Sequence, residues 1–87
     1  MRTIYKYALL FCENNQFEVP KGTRFLHFDI QDGTPCVWAD VIVGNPPETR
    51  NLAIHGTGHN VGTLSRYIGT VKDGPFVWHL YDKVGLP

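Results

Sequence analysis

Turn signals cut this chain at nearly even intervals, and that spacing limits what it can fold into. They stand at Asn14-Asn15, Pro20-Lys21-Gly22, Asp32-Gly33, Asn45-Pro46-Pro47, Gly56 to Gly62 and Asp73-Gly74. The stretches between them are rich in β-branched and aromatic residues, and no segment shows sustained helical periodicity. A chain broken this often must build its core from short strands. The pattern predicts strands near 2–11, 16–19, 23–31, 35–43, 50–56, 66–72 and 75–82. "FDIQDGTPCVW" places Asp-Gly between two such runs, the strongest short-range hairpin signal, and "VKDGPFVW" repeats it. The best helical candidate is a single turn from Asn60 to Ser65, with Asn60 as its cap. The expected class is all-β, a small barrel or sandwich of about six to seven antiparallel strands with at most one short helical turn.

The 87 residues fit one domain, residues 1–87. At this size roughly 60 % of the unfolded surface can be buried, which makes a lone domain marginally stable. A hydrophobic fraction of 43 % with 13 % aromatics excludes a disordered chain. Eight basic and eight acidic residues balance, and no two basic residues adjoin. A binder of duplex DNA or RNA needs a basic face to displace counterions, so that partner is not expected. A small anionic ligand needs only a few placed donors and stays open. The apolar run Ala8 to Cys12 is too short for a signal sequence or a membrane span, so the expected location is the cytoplasm. Cys12 and Cys36 lack metal-type spacing; free thiols are expected, with a disulfide as the alternative.

Strand faces carry a further message. Alternation puts Leu26, Phe28 and Ile30 on one face, and Phe25, His27 and Asp29 on the other. In the next run Val37, Ala39, Val41 and Val43 oppose Cys36, Trp38, Asp40 and Ile42; near the end Phe76, Trp78 and Leu80 oppose Val77, His79 and Tyr81. A small sheet with one core should be polar outside, yet these outer faces keep apolar residues. Either the strands close around a two-sided core or a second subunit covers them. A homo-oligomer, dimer or tetramer, is the expectation.

The chemistry concentrates in "IHGTGHNVG", Ile54 to Gly62. A dinucleotide-binding fingerprint fails because Val61 stands where the third glycine belongs and no long helix follows. No Gly-Lys-Ser/Thr marks a Walker loop. His55 and His59 have the spacing of a helical zinc pair, but Gly-Thr-Gly disfavours a helix, and an extended chain would hold them roughly 13 Å apart. No metal or cofactor is therefore expected. His55-Gly56-Thr57 has the His-x-Thr form of two-histidine phosphoesterases, but the second copy is missing. Thr57 and Ser65 lack a nucleophile elbow, so no catalytic residue is assigned. Two readings stay open. In one, the glycines allow a turn and the histidines bond locally. In the other, Thr57, Gly58 and His59 present N–H groups, a hydroxyl and an imidazole to an anion, as a backbone nest does, helped by the positive end of the helical turn.

The pieces "IYKY", "VPKGTRFL", "QDGTPCVWA", "GTGH", "YIGT" and "FVWHLYD" span nearly the whole chain in order. They resemble a family of small phage-borne and bacterial proteins of no known function. The resemblance extends to viral anti-CBASS sponges, which sequester cyclic oligonucleotide signals in a symmetric tetramer without cleaving them. It implies a non-enzymatic binding protein that blocks host anti-phage defence from the bacterial cytoplasm. Asn60-Val61-Gly62 departs from the proline-bearing loop expected there. Such a ligand needs aromatic platforms, worth about 1–3 kcal/mol per stacked base, and phosphate partners. Tyr5, Tyr7, Trp38, Tyr67 and Trp78 are the candidate platforms, and Lys6, Arg24 and Arg66 the candidate cations. The expected ligand site is Tyr5, Lys6, Trp38, Thr57, Gly58, His59 and Arg66. A histidine-dependent phosphodiesterase and a protein–protein inhibitor or structural accessory are the alternatives.

Overall fold

A computed structural model describes residues 1–83. Seven strands form, all pairing antiparallel: β1 (Arg2–Ala8), β2 (Asn15–Pro20), β3 (Arg24–Gln31), β4 (Thr34–Ile42), β5 (Pro47–Gly56), β6 (Arg66–Asp73) and β7 (Phe76–Asp82). They make a three-stranded sheet, β1-β4-β3, and a four-stranded sheet, β2-β5-β7-β6. The two sheets are layered as a sandwich and do not close into a barrel. Among the described residues none is helical. Asn60 to Ser65 is a loop whose only bonded turn runs from the Ser65 N–H to the Gly62 carbonyl, 3.0 Å. Gly62 inside this segment disfavours helix, and one turn without a packed apolar face cannot offset its own nucleation cost.

Both hairpins form, through different turns. The β3–β4 loop is Asp32-Gly33, with positive φ at both residues (51° and 78°), as a type I′ turn requires. The β6–β7 loop is shifted by one residue: Asp73 pairs with Phe76, and Gly74 (φ 57°) with Pro75 makes the turn. Pro75 requires negative φ and so imposes the II′ pattern, with only the first loop residue at positive φ. The first expected strand ends at Ala8 and not at residue 11. Beyond it the chain crosses between the sheets, from Leu9 N–H on the Pro35 carbonyl (2.8 Å) to the Cys12 carbonyl accepting Ile54 N–H (2.9 Å). Cys12 and Cys36 are both free thiols.

The core is one layer between the sheets, built on Leu9, Phe28, Val37, Leu52, Ile54 and Leu80. β4 follows its alternation: Val37, Ala39 and Val41 are fully buried. β3 does not. A bulge between Phe25 and His27 opposes Phe25 to Ala39 and Phe28 to Val37, so Phe25 and Phe28 share the inner face. Leu26, expected beside Phe28, is 46 % exposed. β6 carries a matching bulge between Tyr67 and Gly69, and there β3 and β6 meet. A Cβ on Gly69 would lie 3.2 Å from the Cβ of Phe28, so glycine permits the close approach of the two sheets.

The bulge generates a sharp contrast between neighbours. Phe28→Ala is expected to cost roughly 3–5 kcal/mol, whereas Leu26→Ala should stay within about 0.5 kcal/mol of the parent. Equilibrium urea unfolding of the two variants measures the difference; equal losses would place Leu26 in the core.

Candidate functional site

Gly56 to His59 forms a four-residue turn at the end of β5. It is closed twice, by His59 N–H on the Gly56 carbonyl (3.1 Å) and by Gly56 N–H on His59 Nδ1 (3.1 Å). Gly58 sits at φ 91°, which an L side chain rarely adopts. A Cβ at Gly56 would lie 3.3 Å from the His59 ring, a tight contact that the ring would have to yield to. The amides of Gly56 and His59 thus bond within the turn, and the nest expected to face an anion is half consumed. Thr57 Oγ1 is also engaged, 2.9 Å from His79 Nε2.

Folding back brings His59 over His55. Glu13, from the β1–β2 crossing, stands beside both: its carboxylate lies 3.8 Å from His55 Nδ1 and 3.7 Å from His59 Nδ1. The expectation that His55 and His59 lie too far apart to share an ion is overturned. One donor atom from each of Glu13, His55 and His59 falls within 4.8 Å of the others. The separation assumed an extended chain, and glycine let the chain reverse. The neighbouring outer face of β5, β6 and β7 is polar. His55 opposes His79, which opposes Thr70. His79 Nδ1 is 2.9 Å from Thr70 Oγ1, which is 2.6 Å from Tyr67 Oη. Tyr81 packs edge-on against both His55 and Tyr67.

A second cluster lies on the inner side, at the bulged seam. A cavity of about 240 Å³ is lined by Thr23, Arg24, Phe25, Arg50, Arg66, Tyr67, Ile68 and Asp82. Arg50 and Arg66 stand by one lining carboxylate, Asp82, and Arg24 stands at the rim, opposite Asp40 in the strand register. Arg50 is bound on all sides: to buried Asp82, to Glu48 at 3.5 Å, to the Thr23 carbonyl at 3.0 Å, and over the Phe25 ring at 4.9 Å. Among the described residues, Arg24 and Arg66 make no side-chain hydrogen bond or ion pair. Bidentate donors left free beside an aromatic wall suit a phosphate or carboxylate.

The seven expected ligand residues are not gathered into one place. Thr57, Gly58 and His59 share the turn. Arg66, expected to close over the same anion, occupies the inner face opposite Asp82 and lines the arginine cleft. Lys6 and Trp38 face each other on the outer side of the three-stranded sheet, where Lys6 Nζ bonds Gln31 Oε1 (2.5 Å) and His27 packs 5.7 Å from the Trp38 ring. Tyr5 lies on the inner side at the β1 edge, against Tyr7. Residue-type reasoning did not connect Glu13 or Arg50 to a site; the Arg–Asp register that buries Arg50 is a pairing between distant strands.

A family profile, the domain of unknown function DUF7352, matches residues 1–86. The chain belongs to the DUF7352 family. No curated protein and no solved structure matches it. No helix among the described residues is long and apolar enough to cross a membrane. For this DUF7352 chain the site must therefore be argued from its own geometry.

Two chemical consequences are measurable. Burial lowers the pKa of His55 below 6.5, against the opposing pull of Glu13, so His55 is neutral when folded. The unfolded chain then takes up the proton first as the pH falls. Stability present above 6.5 is lost as the pH drops toward the lower folded-state value. The thermal midpoint should fall over that interval in chelator-treated parent protein and flatten in His55→Phe; parallel profiles would refute the assignment. The second concerns the Asp82–Arg50 pair. Asp82→Ala leaves Arg50 uncompensated in a mostly buried position and should cost roughly 3–5 kcal/mol, read by urea unfolding.

Proposed function

We propose that this chain is a non-enzymatic binder of a small phosphate-bearing nucleotide, which it sequesters without cleavage. The observation that carries this reading is the cleft whose lining includes Arg24, Arg66 and Phe25, in which neither of these two arginines has an ion-pair or side-chain hydrogen-bond partner among the described residues. Arg50 forms its floor, already held by Asp82 and therefore preorganised. The choice of a cyclic oligonucleotide among phosphate ligands rests on the motif resemblance to phage sponges, and blockade of host anti-phage defence follows from it. At about 240 Å³ the cleft is smaller than the roughly 300–1,000 Å³ of a drug-sized site. One cleft suits one phosphate–nucleoside unit, so a cyclic dinucleotide would engage two copies of the chain.

A homo-oligomer is part of the proposal. What supports it is the outer face of the three-stranded sheet. Ile4, Leu26 and Ile42 are 52 %, 46 % and 43 % exposed there, around half-buried Trp38. Covering such a face removes apolar area from water.

The test is binding of labelled cyclic di- and trinucleotides, followed by heat denaturation and analysis of the released ligand. Intact ligand is expected. Arg24→Ala and Arg66→Ala should each weaken binding by about ten- to hundred-fold with little change in melting temperature. Released cleavage products would favour a phosphodiesterase instead. No binding to any nucleotide would sink the reading, and light scattering giving the 9.8 kDa monomer mass would sink the oligomer.

A further inference from the structure

The arginine cleft leaves Glu13, His55 and His59 unused. His55 is 3 % exposed, and among the described residues neither of its ring nitrogens has a hydrogen-bond partner. Buried polar atoms are normally satisfied, and an orphaned imidazole covered on the outer face of a sheet demands an explanation. Its Nδ1 points toward Glu13, which also faces His59. We propose that Glu13, His55 and His59 form a three-ligand site for a divalent transition-metal ion, of which zinc is the reference case. The proposal stands independently of nucleotide binding.

The donor set fits such an ion. Two imidazoles and one carboxylate are the ligands of open zinc sites, where water takes the fourth position. Zn–N bonds of about 2.0–2.1 Å in a tetrahedron separate neighbouring ligand atoms by roughly 3.4 Å. The Glu13 oxygen lies 3.8 and 3.7 Å from the two Nδ1 atoms and the three donors fall within 4.8 Å of one another, so closing on an ion needs a contraction of up to roughly 1.4 Å. The two residues able to supply it are at the surface, with the Glu13 side chain 51 % exposed and that of His59 54 %. Their exposure also leaves the open position facing solvent. His59 donates a lone pair to Gly56 N–H through Nδ1; ligation through Nε2 preserves that bond, while ligation through Nδ1 replaces it. His79 is not a fourth ligand in this arrangement, because Thr57 and Thr70 engage both its nitrogens. Lys83 is the nearby cation, and its ammonium is held 3.0 Å from Asn14 Oδ1.

The experiment uses the full chain, stripped with chelator and titrated with Zn²⁺ by calorimetry and with Co²⁺ by visible absorption. One ion per chain is expected, with four-coordinate cobalt bands and a thermal midpoint raised by zinc. Glu13→Gln and His59→Ala change exposed side chains and should keep the metal-free fold. Each should weaken zinc binding by at least the roughly 10–100-fold that outer-layer partners alone are worth, and abolish the thermal shift. His27→Ala, on the other sheet, should leave binding unchanged. Substoichiometric binding, or unaltered affinity in both site variants, overturns the proposal.

Discussion

The approach of Phe28 to Gly69 is the contact on which the rest of the sandwich depends. It brings the β3 edge of one sheet against the β6 edge of the other, so close that a Cβ at Gly69 would lie 3.2 Å from that of Phe28. Both strands carry a bulge next to this contact. The β3 bulge turns Leu26 outward and restores the inner face beyond it, while on β6 the bulge residue Ile68 packs against the core. Phe25 and Phe28 can then both pack inward on β3, and the core layer runs continuously from Val37 to Leu80. The opposite side is looser. There β1 and β2 are linked by the crossing segment, and a cavity of about 360 Å³ remains beside Tyr7, Asn15 and Phe17.

The same seam explains where the charges are. Bulges open the end of the sandwich between Thr23–Phe25 and Arg66–Ile68, and the arginine cleft fills that opening. Arg50 and Asp82 are inner-face residues by register, so their burial follows from the position of β5 and β7 in the sheet. Two charges held in an interior are expensive unless each is paired and hydrogen-bonded. Arg50 meets this condition with Asp82, Glu48, a carbonyl and an aromatic face. The pair thereby becomes a rigid base under two freer arginines.

The outer face of the four-stranded sheet is organised differently. Cross-strand neighbours there are His55, His79 and Thr70 in one row, and Ala53, Tyr81 and Tyr67 in the next. Directly opposed residues on antiparallel strands share a face, so these hydroxyls and imidazoles are forced into contact. The Gly56–His59 turn and the segment carrying Glu13 then fold over the row. The result is a buried histidine beneath an exposed histidine and a carboxylate.

Much of the fold was legible in the sequence. Period-two alternation in 35–43 marks the same side chains that β4 buries, and Asp32-Gly33 specifies its turn through positive φ. All seven expected strands form, because turn signals and β-branched runs are local, but β1 ends at Ala8 and not at residue 11, and β5 begins at Pro47 and not at residue 50. What local signals do not contain is the bulges, which move Leu26 out and Phe25 in, and the shift of the last hairpin to Gly74-Pro75. The site was less legible for the same reason. Gly56 and Gly58 announced a turn, but its direction decided that His59 returns to His55. Glu13 and Arg50 became site residues only through contacts between segments distant along the chain. Arg66, directly after the expected helical turn from Asn60 to Ser65, went to the opposite face because that segment is a loop. The sequence by itself determined strands, turns and the main core positions, since each depends on a few adjacent residues. Tertiary structure decided which polar side chains meet, since that depends on register and on how closely two sheets can approach at a glycine.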